Sequence, residues 1–283
     1  MEYKRILTIQ DISCVGQCSL TVALPILSAC GMETCVLPSV VLSTHTGGFG
    51  KPAVRDLTED ISGIVRHWSE QDIRFDVVYT GYLGTWKQVE LVKEKLPLLL
   101  APEGKLVVDP AMADHGRLYS GLDGDYKRSM EQLCAMADVM IPNVTEACMM
   151  TGAEYVPDPD EETVRQLLQS LHLKSGKSVV LTGVSPLPGQ TGVAVCEDGR
   201  IHFHAHRKLE KNCHGTGDIF ASAMTGLWAG GEKLPDAAAL AADFTMACIE
   251  NTCRKPAHWY GVKFETVLPW LMERIGERQS RRK

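Results

Sequence analysis

Short apolar runs alternate with longer amphipathic stretches along most of this chain of 283 residues. Runs rich in β-branched residues predict buried strands, whereas apolar positions that recur every three to four residues predict helices. The predicted strands are 5–10, 34–37, 77–80, 106–109, 139–141 and 179–182. The predicted helices are 19–29, 85–96, 129–136, 145–150 and one that ends at Leu171.

The last third of the chain changes this pattern. Two neighbouring runs, 193–196 and 201–206, predict an antiparallel pair, and three helices follow them. Strands that alternate with helices are typical of a parallel sheet covered by helices on both faces. We therefore predict one α/β domain over 1–283, with three layers, a mainly parallel sheet and an antiparallel edge added late. The hydrophobic content of 45% is sufficient for such a core.

Polar residues follow several of the predicted strands. Asp11 follows the first, Tyr82 follows 77–80, Asp109 closes its own strand, and Asn143 and Glu146 follow 139–141. Ligands of open α/β sheets bind beyond the carboxyl ends of the strands. The sequence therefore predicts that these side chains meet on one rim of the sheet.

Charge and composition narrow the class of partner. The net charge is −6, and basic residues gather only in the tail 274–283, so we expect no nucleic-acid partner. No apolar run reaches the roughly 18 to 20 residues of a membrane span, and a strand-like run begins at Ile6 without a preceding signal sequence. We expect a cytoplasmic protein that does not bind membranes, whose ten cysteines are free thiols.

Two groups of residues could suggest a metal. Cys14 and Cys18 lie four apart, and His202, His204 and His206 alternate along a predicted strand. The cysteine pair has no matching second pair, and strand spacing puts the three histidines on one face of a predicted surface hairpin. We interpret both groups as ordinary surface or core residues.

The run Gly215-Thr216-Gly217-Asp218 leads directly into a predicted helix rich in small residues. Unpaired N–H groups and the dipole at such a helix start favour an anion, and glycine lets a phosphate approach the backbone closely. Asp218 would lie beside that phosphate and could accept the proton of an attacking hydroxyl. The same dipole should keep Asp218 ionised and weakly basic. Taken alone, the four residues also fit a tight turn with an acidic dipole partner.

The same run resembles the Gly-Thr-Gly-Asp element of the ribokinase superfamily, and the chain resembles the pyridoxal kinase branch from end to end. Further segments match in the same order along the chain. They are Ile9-Gln10, Ser43-Thr44-His45-Thr46-Gly47, Thr80-Gly81-Tyr82, Asp109-Pro110 and Pro142-Asn143-Val144-Thr145-Glu146. The resemblance implies a ribokinase-like fold and an ATP-dependent kinase that phosphorylates the hydroxymethyl group of a vitamin B6 vitamer.

The resemblance also implies roles for individual residues. Asp218 would be the catalytic base, and Gly215, Thr216 and Gly217 would form the anion hole. The ATP-binding residues would be Asp109, Asn143, Glu146, Thr182 and Thr216. Asp109 and Glu146 would also hold Mg²⁺, which usually takes one or two protein carboxylates together with substrate phosphates. The glycine-rich stretch 114–121 resembles a flap over ATP. The resemblance further implies a homodimer and leaves a requirement for K⁺ open.

On the substrate side, Asp11, Thr46 and Tyr82 would surround the pyridine ring beside Asp218. His45 is interpreted as a capping or packing residue. The family usually carries serine where Asp11 stands, and a carboxylate also suits the aminopyrimidine of hydroxymethylpyrimidine, the substrate of a sister branch. The substrate alternatives therefore stay open, together with a vitamer-binding protein that lacks turnover. The glycine-rich segment 47–51 lacks the spacing of a P-loop, and the segment after the first strand lacks the glycine spacing of a dinucleotide-binding motif.

Overall fold

The computed structural model describes residues 3–209, 213–254 and 258–282. Residues 1–2, 210–212, 255–257 and 283 of the predicted domain lie outside this description. Within the described residues, nine strands form one sheet, and two short strands form a separate hairpin. The sheet strands are β1 (Arg5–Ser13), β2 (Glu33–Leu42), β3 (Val54–Asp56), β4 (Phe75–Thr80), β5 (Leu100–Val108), β8 (Val139–Met140), β9 (Ser178–Val184), β10 (Gln190–Glu197) and β11 (Arg200–Arg207). The hairpin strands are β6 (Ala113–Asp114) and β7 (Arg117–Leu118).

The strand order across the sheet is β11-β10-β9-β8-β5-β4-β1-β2-β3. The pairs from β2 to β9 are parallel, whereas β10 and β11 run antiparallel at one edge and β3 at the other. The predicted α/β class, the mainly parallel sheet and the late antiparallel edge are confirmed. The sequence did not predict the second antiparallel edge at β3.

Helices cover both faces of the sheet. They are α1 (Leu20–Ala29), α2 (Thr58–Glu70), α3 (Trp86–Leu99), α4 (Gly124–Met136), α5 (Val144–Thr151), α6 (Glu161–Ser175), α7 (Thr216–Ala229), α8 (Leu234–Cys253) and α9 (Leu268–Arg282). Of these, α2 was not predicted. The sequence does contain the helical pattern there, because apolar residues recur every three to four positions and pack against the core: Ile61, Ile64, Val65 and Trp68.

Two hydrophobic cores separate the three layers. Alternate residues of β1 serve each of them: Leu7 and Ile9 pack in the core formed with α2 to α6, and Ile6 packs in the core formed with α1 and α7 to α9. This alternation is the strand period of two. Among the described residues, no helix combines the length and the apolar character needed to cross a membrane.

Candidate active site

A cavity of about 440 Å³ opens at the carboxyl ends of the central strands. Asp109 follows β5, Asn143 follows β8, and Thr182 lies near the end of β9, and all three line the cavity. The residues at the start of α7, including Asp218, line the same cavity. The prediction that polar residues behind different strands meet on one rim is confirmed for these positions.

The turn before α7 requires glycine for a steric reason. Gly215 has a φ of 83°, and a Cβ built on it would lie 1.7 Å from the carbonyl oxygen of Gln17. Gly217 has open space instead, with no atom within 4 Å of such a Cβ. The Thr216 hydroxyl donates to the Cys213 carbonyl oxygen at 3.5 Å. The turn is therefore packed on one side and open on the side where a helix start can accept an anion.

Asp218 lies in the first turn of α7, and the pKa of its carboxyl is raised to about 8. Burial is the largest cause, and the charges of Asp109 and then Asp11 add to it, while a hydrogen bond from the Ser19 backbone opposes the shift. The expectation that the helix dipole leaves Asp218 weakly basic was wrong. Desolvation and two neighbouring carboxylates outweigh the dipole, so the group is a stronger base than the sequence indicated.

Ser19 contributes to the site, although the sequence analysis assigned it no role. It precedes α1 with a φ of 52°, a strained value for a residue with a side chain. Its hydroxyl makes no helix-capping hydrogen bond but interacts with Asp11, and its backbone N–H interacts with Asp218. Serine at a helix start normally predicts a cap, so nothing in the local sequence indicates this role.

Asn143 and Glu146 form a capping box at the start of α5. The Asn143 side-chain oxygen accepts from the Glu146 backbone at 2.9 Å, and Glu146 Oε2 accepts from the Asn143 backbone at 2.9 Å. The same side chains also hold the loop after β5. Glu146 Oε1 accepts from the Met112 backbone at 2.8 Å, and the Asn143 amide donates to the Ala113 carbonyl at 2.8 Å. Both residues therefore support the loop next to Asp109, an additional role that the sequence did not predict.

Asp109 and Glu146 are close enough to influence each other. The pKa of Asp109 is raised well above its usual range by burial and by the Glu146 charge, and burial raises the pKa of Glu146 to about 7. Asp109 accepts a hydrogen bond from the backbone of Ala111, a non-glycine residue with a φ of 38°. A buried and a partly buried carboxylate, one of which disfavours ionisation of the other, form with the strained loop residue beside them a donor set that a hard divalent cation fits.

Of the predicted substrate residues, Asp218 lines this cavity, whereas Asp11, Thr46 and Tyr82 lie outside its lining. Asp11 is only 3% exposed and accepts a hydrogen bond from the Ser13 hydroxyl at 3.0 Å. Burial and then the Asp11 charge raise the pKa of the half-buried Tyr82, so these two side chains are neighbours, and Asp11 also influences Asp218. Thr46 is exposed. The structure thus brings Asp11, Tyr82 and Asp218 together, and the role of Thr46 stays a prediction.

His45 has the packing role that the sequence analysis assigned to it. Its Nδ1 accepts from the Gly47 backbone at 3.0 Å, and its Nε2 lies 3.1 Å from the Tyr260 carbonyl oxygen. A Cβ built on Gly16 would lie 2.3 Å from the His45 ring. His45 therefore joins three loops near the start of α7. His214, which had no predicted role, lines the cavity next to Gly47.

A further part of the cavity lining was not predicted from the sequence. Its residues come from β10, from β11 and from α8, and their mixture of apolar and polar atoms suits a flat heteroaromatic ring. They are Gly192, Val193, His206, Ala242, Thr245, Met246 and Ile249. Asp114 and Tyr119 of the predicted flap also line the cavity, which agrees with the predicted location of the flap beside the nucleotide.

Comparison with known protein families agrees with this geometry. The profile of the phosphomethylpyrimidine kinase family matches residues 34–262. The chain belongs to this family. As a member of a kinase family, it is a phosphotransferase, so the type of reaction predicted from the sequence is confirmed, and the family implies ATP as the co-substrate.

The relatives of this chain are named as kinases of two different substrates, pyridoxal and phosphomethylpyrimidine. A pyridoxal kinase from Lactobacillus plantarum is 33% identical, with a TM-score of 0.88 and coverage of 95% of this chain and 97% of that one. A candidate phosphomethylpyrimidine kinase from Bacteroides thetaiotaomicron, crystallised with pyridoxal, is 33% identical, with a TM-score of 0.88 and coverage of 95% and 96%. The predicted relationship to pyridoxal kinases and the ribokinase-like fold are confirmed.

A third relative is the thiamine biosynthesis bifunctional protein ThiED from Geobacter sulfurreducens. It is 34% identical over 179 residues, which are 63% of this chain. The match spans only 36% of the length of that protein. Sequence similarity therefore connects this chain both with pyridoxal kinases and with a thiamine biosynthesis protein, and it does not by itself identify the alcohol substrate.

Proposed function

We propose that this kinase transfers the γ-phosphoryl group of ATP to the hydroxymethyl group of a vitamin B6 vitamer, with Asp218 as the general base. The observation that carries the proposal is the place of Asp218. On one side it lines the cavity that contains Asp109, and on the other it is close enough to Asp11 for that charge to raise its pKa. A base between a nucleotide site and a separate polar site suits direct transfer between two bound substrates.

In this proposal the phosphates of ATP lie at the start of α7. The N–H groups of Gly215, Thr216 and Gly217 stabilise the charge on the transferring group, and Thr182 lines the same cavity. The base of the nucleotide extends toward Thr245 and Met246. Tyr119 from the hairpin lines the same cavity and helps to exclude water from the activated phosphate.

Asp109 and Glu146 would hold Mg²⁺, in part through water, because both oxygens of Glu146 already accept backbone hydrogen bonds. When bound, the ion neutralises negative charge on the phosphates. Asn143 keeps the loop that carries Ala113 in place through its amide. The requirement for K⁺ and the homodimer stay predictions.

Asp218 has the properties of a base that acts near neutral pH. A raised pKa increases its affinity for the hydroxyl proton, and a loose phosphoryl-transfer transition state requires that proton to leave late. The Asp218 carboxylate also orients the hydroxyl toward the phosphorus. On the far side, Asp11 can accept a hydrogen bond from the ring substituents of the vitamer, and Tyr82 supplies an aromatic wall.

A second candidate substrate is hydroxymethylpyrimidine. It is favoured by the family profile over residues 34–262 and by the thiamine biosynthesis relative, and the Asp11 carboxylate could accept a hydrogen bond from an exocyclic amine. The full-length match to a pyridoxal kinase and the related structure with pyridoxal favour the vitamer. We therefore place vitamin B6 first.

The experiment that tests the proposed reaction measures ADP release with ATP, Mg²⁺ and one of four alcohols: pyridoxal, pyridoxamine, pyridoxine or hydroxymethylpyrimidine. We expect kcat/KM to be highest with a vitamin B6 vitamer and ADP release without an alcohol to be slow. A preference for hydroxymethylpyrimidine would retain the mechanism and change the substrate. Absence of alcohol-dependent ADP release with all four would reject the proposal and favour a vitamer-binding protein.

A further inference from the structure

Two histidines of β11 and one aspartate of α8 lie together beside the nucleotide end of the cavity. His204 Nε2 lies 2.7 Å from Asp243 Oδ1, and His206 Nδ1 lies 3.7 Å from the same oxygen. One ligand atom from each residue lies within 4.8 Å of the other two. The two imidazole rings have an interplanar angle of 84°, so they do not stack on each other.

These distances fit the coordination shell of a metal ion. An ion bound at about 2.1 Å by imidazole nitrogen and carboxylate oxygen places neighbouring ligand atoms about 3.4 Å apart in tetrahedral geometry. The observed separations of 2.7 and 3.7 Å lie on either side of that value. Small side-chain rotations are therefore sufficient to admit an ion.

The elements that carry the three residues hold them in place. All eight residues of β11 pair with β10, and α8 is a helix of 20 residues that packs against both strands. His204, His206 and Asp243 are each partly buried. The His206 Nε2 atom is buried without a hydrogen-bond partner, and only its other ring nitrogen faces Asp243. A metal ion bound at Nδ1 would be a closer partner for His206 than Asp243 Oδ1, which lies 3.7 Å away.

The sequence alone did not reveal this group of three residues. The alternation of His202, His204 and His206 was interpreted as an ordinary surface feature, because strand spacing puts all three on one face of a predicted hairpin. Asp243 lies 39 positions after His204, and only the packing of α8 against β11 brings it to the histidines. The folded chain thus completes a group with two imidazoles and one carboxylate.

We propose that His204, His206 and Asp243 bind a divalent transition-metal ion of the Zn²⁺ and Co²⁺ class. Imidazole nitrogen prefers these ions, whereas Mg²⁺ prefers oxygen ligands, so the site differs in chemistry from Asp109 and Glu146. His206 also lines the nucleotide cavity. An ion at this site fixes β11 to α8 at the wall of that cavity.

Titration of the nucleotide-free protein with Co²⁺ tests this proposal without measuring turnover, so its failure is distinguishable from failure of the proposed kinase function. Co²⁺ bound by imidazole and carboxylate gives weak visible ligand-field bands, whereas thiolate ligands add intense near-ultraviolet charge-transfer bands. The ten cysteines of the chain make this distinction necessary. The titration is performed with several millimolar Mg²⁺ present, which occupies oxygen-only sites.

The variants are His204→Ala and Asp243→Asn, and the matched control is His202→Ala, an exposed histidine on the same strand. We expect one equivalent of Co²⁺ with ligand-field bands in the wild type and in the control, and at least tenfold weaker binding in both test variants. Co²⁺ should also raise the Tm of the wild type but not of the test variants. Circular dichroism checks that each variant is folded.

Three results would overturn the proposal: no ligand-field bands, charge-transfer bands alone, or equal Co²⁺ affinity in the wild type and in folded His204→Ala. The first would show that His204 and Asp243 form a hydrogen-bonded pair only. The second would assign the ion to cysteine thiolates. The third would place it elsewhere on the protein.

Discussion

Replacement of Asp218 by asparagine should lower kcat for alcohol phosphorylation by about 10²-fold or more, with little change in ATP binding. Asparagine keeps the size of the side chain but cannot accept the proton of the attacking hydroxyl. ATP binding should persist because the Gly215-Thr216-Gly217 turn and Asp109 are unchanged. Steady-state kinetics gives kcat, and titration with a non-hydrolysable ATP analogue gives the affinity.

The same variant should be more stable than the wild type at alkaline pH. The folded-state pKa of Asp218 is raised to about 8, above its unfolded value, so folding favours the protonated form. Its contribution to stability is complete below the unfolded pKa and is lost as pH rises through about 8. At pH 8.5, without Mg²⁺ or nucleotide, we expect Asp218→Asn to have a Tm higher by about 3 °C or more, and the difference should shrink toward pH 5.

Asp236→Asn is the matched control for these measurements, because Asp236 is an exposed acid in the first turn of α8. It should change neither kcat nor the pH dependence of the Tm. An Asp218→Asn protein with near wild-type kcat would remove Asp218 from the role of base. A Tm difference that did not change between pH 5 and 8.5 would contradict the raised pKa.

Gly215→Ala should reduce both stability and kcat/KM, whereas Gly217→Ala should affect only the reaction with ATP. The added Cβ at Gly215 collides with the Gln17 carbonyl oxygen, and its φ of 83° strains any residue with a side chain. We expect the Tm to fall by about 5 °C or more and kcat/KM by about tenfold or more, because the turn must move.

At Gly217 the added Cβ meets nothing in the protein, and alanine favours the helix. The Tm should therefore be retained, while the KM for ATP rises because the methyl group occupies the space proposed for a phosphate. Differential scanning fluorimetry and ATP kinetics on both variants measure these effects. A Gly215→Ala protein with unchanged Tm and kcat/KM would refute the tight packing of this turn, and an unchanged KM for Gly217→Ala would place the phosphates elsewhere.

The sequence predicted the middle of the sheet well because hydrophobic period and local chemistry agree there. Within the predicted strands 77–80 and 106–109, residues 77–79 and 106–108 are continuous apolar segments, as expected for strands covered on both faces. The segment that contains α2 was missed although its sequence carries the apolar spacing of an amphipathic helix, at Ile61, Ile64, Val65 and Trp68. Edge strand β3 has three exposed residues and therefore no apolar pattern to detect.

The candidate site was predictable where residues follow strands. Asp109, Asn143 and Thr182 meet at the cavity because the carboxyl ends of parallel strands share one edge. The raised pKa of Asp218 was not predictable, since only folding buries this carboxyl and brings Asp109 and Asp11, which are distant in sequence, close to it. In the same way, packing between elements that are remote in sequence creates the contacts of Ser19 with Asp218 and of His204 with Asp243.

A competition experiment between two alcohols tests most directly whether this kinase phosphorylates the hydroxymethyl group of a pyridine. Equal concentrations of pyridoxal and hydroxymethylpyrimidine are incubated with the protein, Mg²⁺ and limiting ATP, and mass spectrometry measures both phosphorylated products. Their initial ratio equals the ratio of the two kcat/KM values. We predict that the product phosphorylated on the hydroxymethyl group of pyridoxal dominates and that it disappears with Asp218→Asn. Dominance of phosphorylated hydroxymethylpyrimidine, or consumption of ATP without either product, would contradict the proposed function.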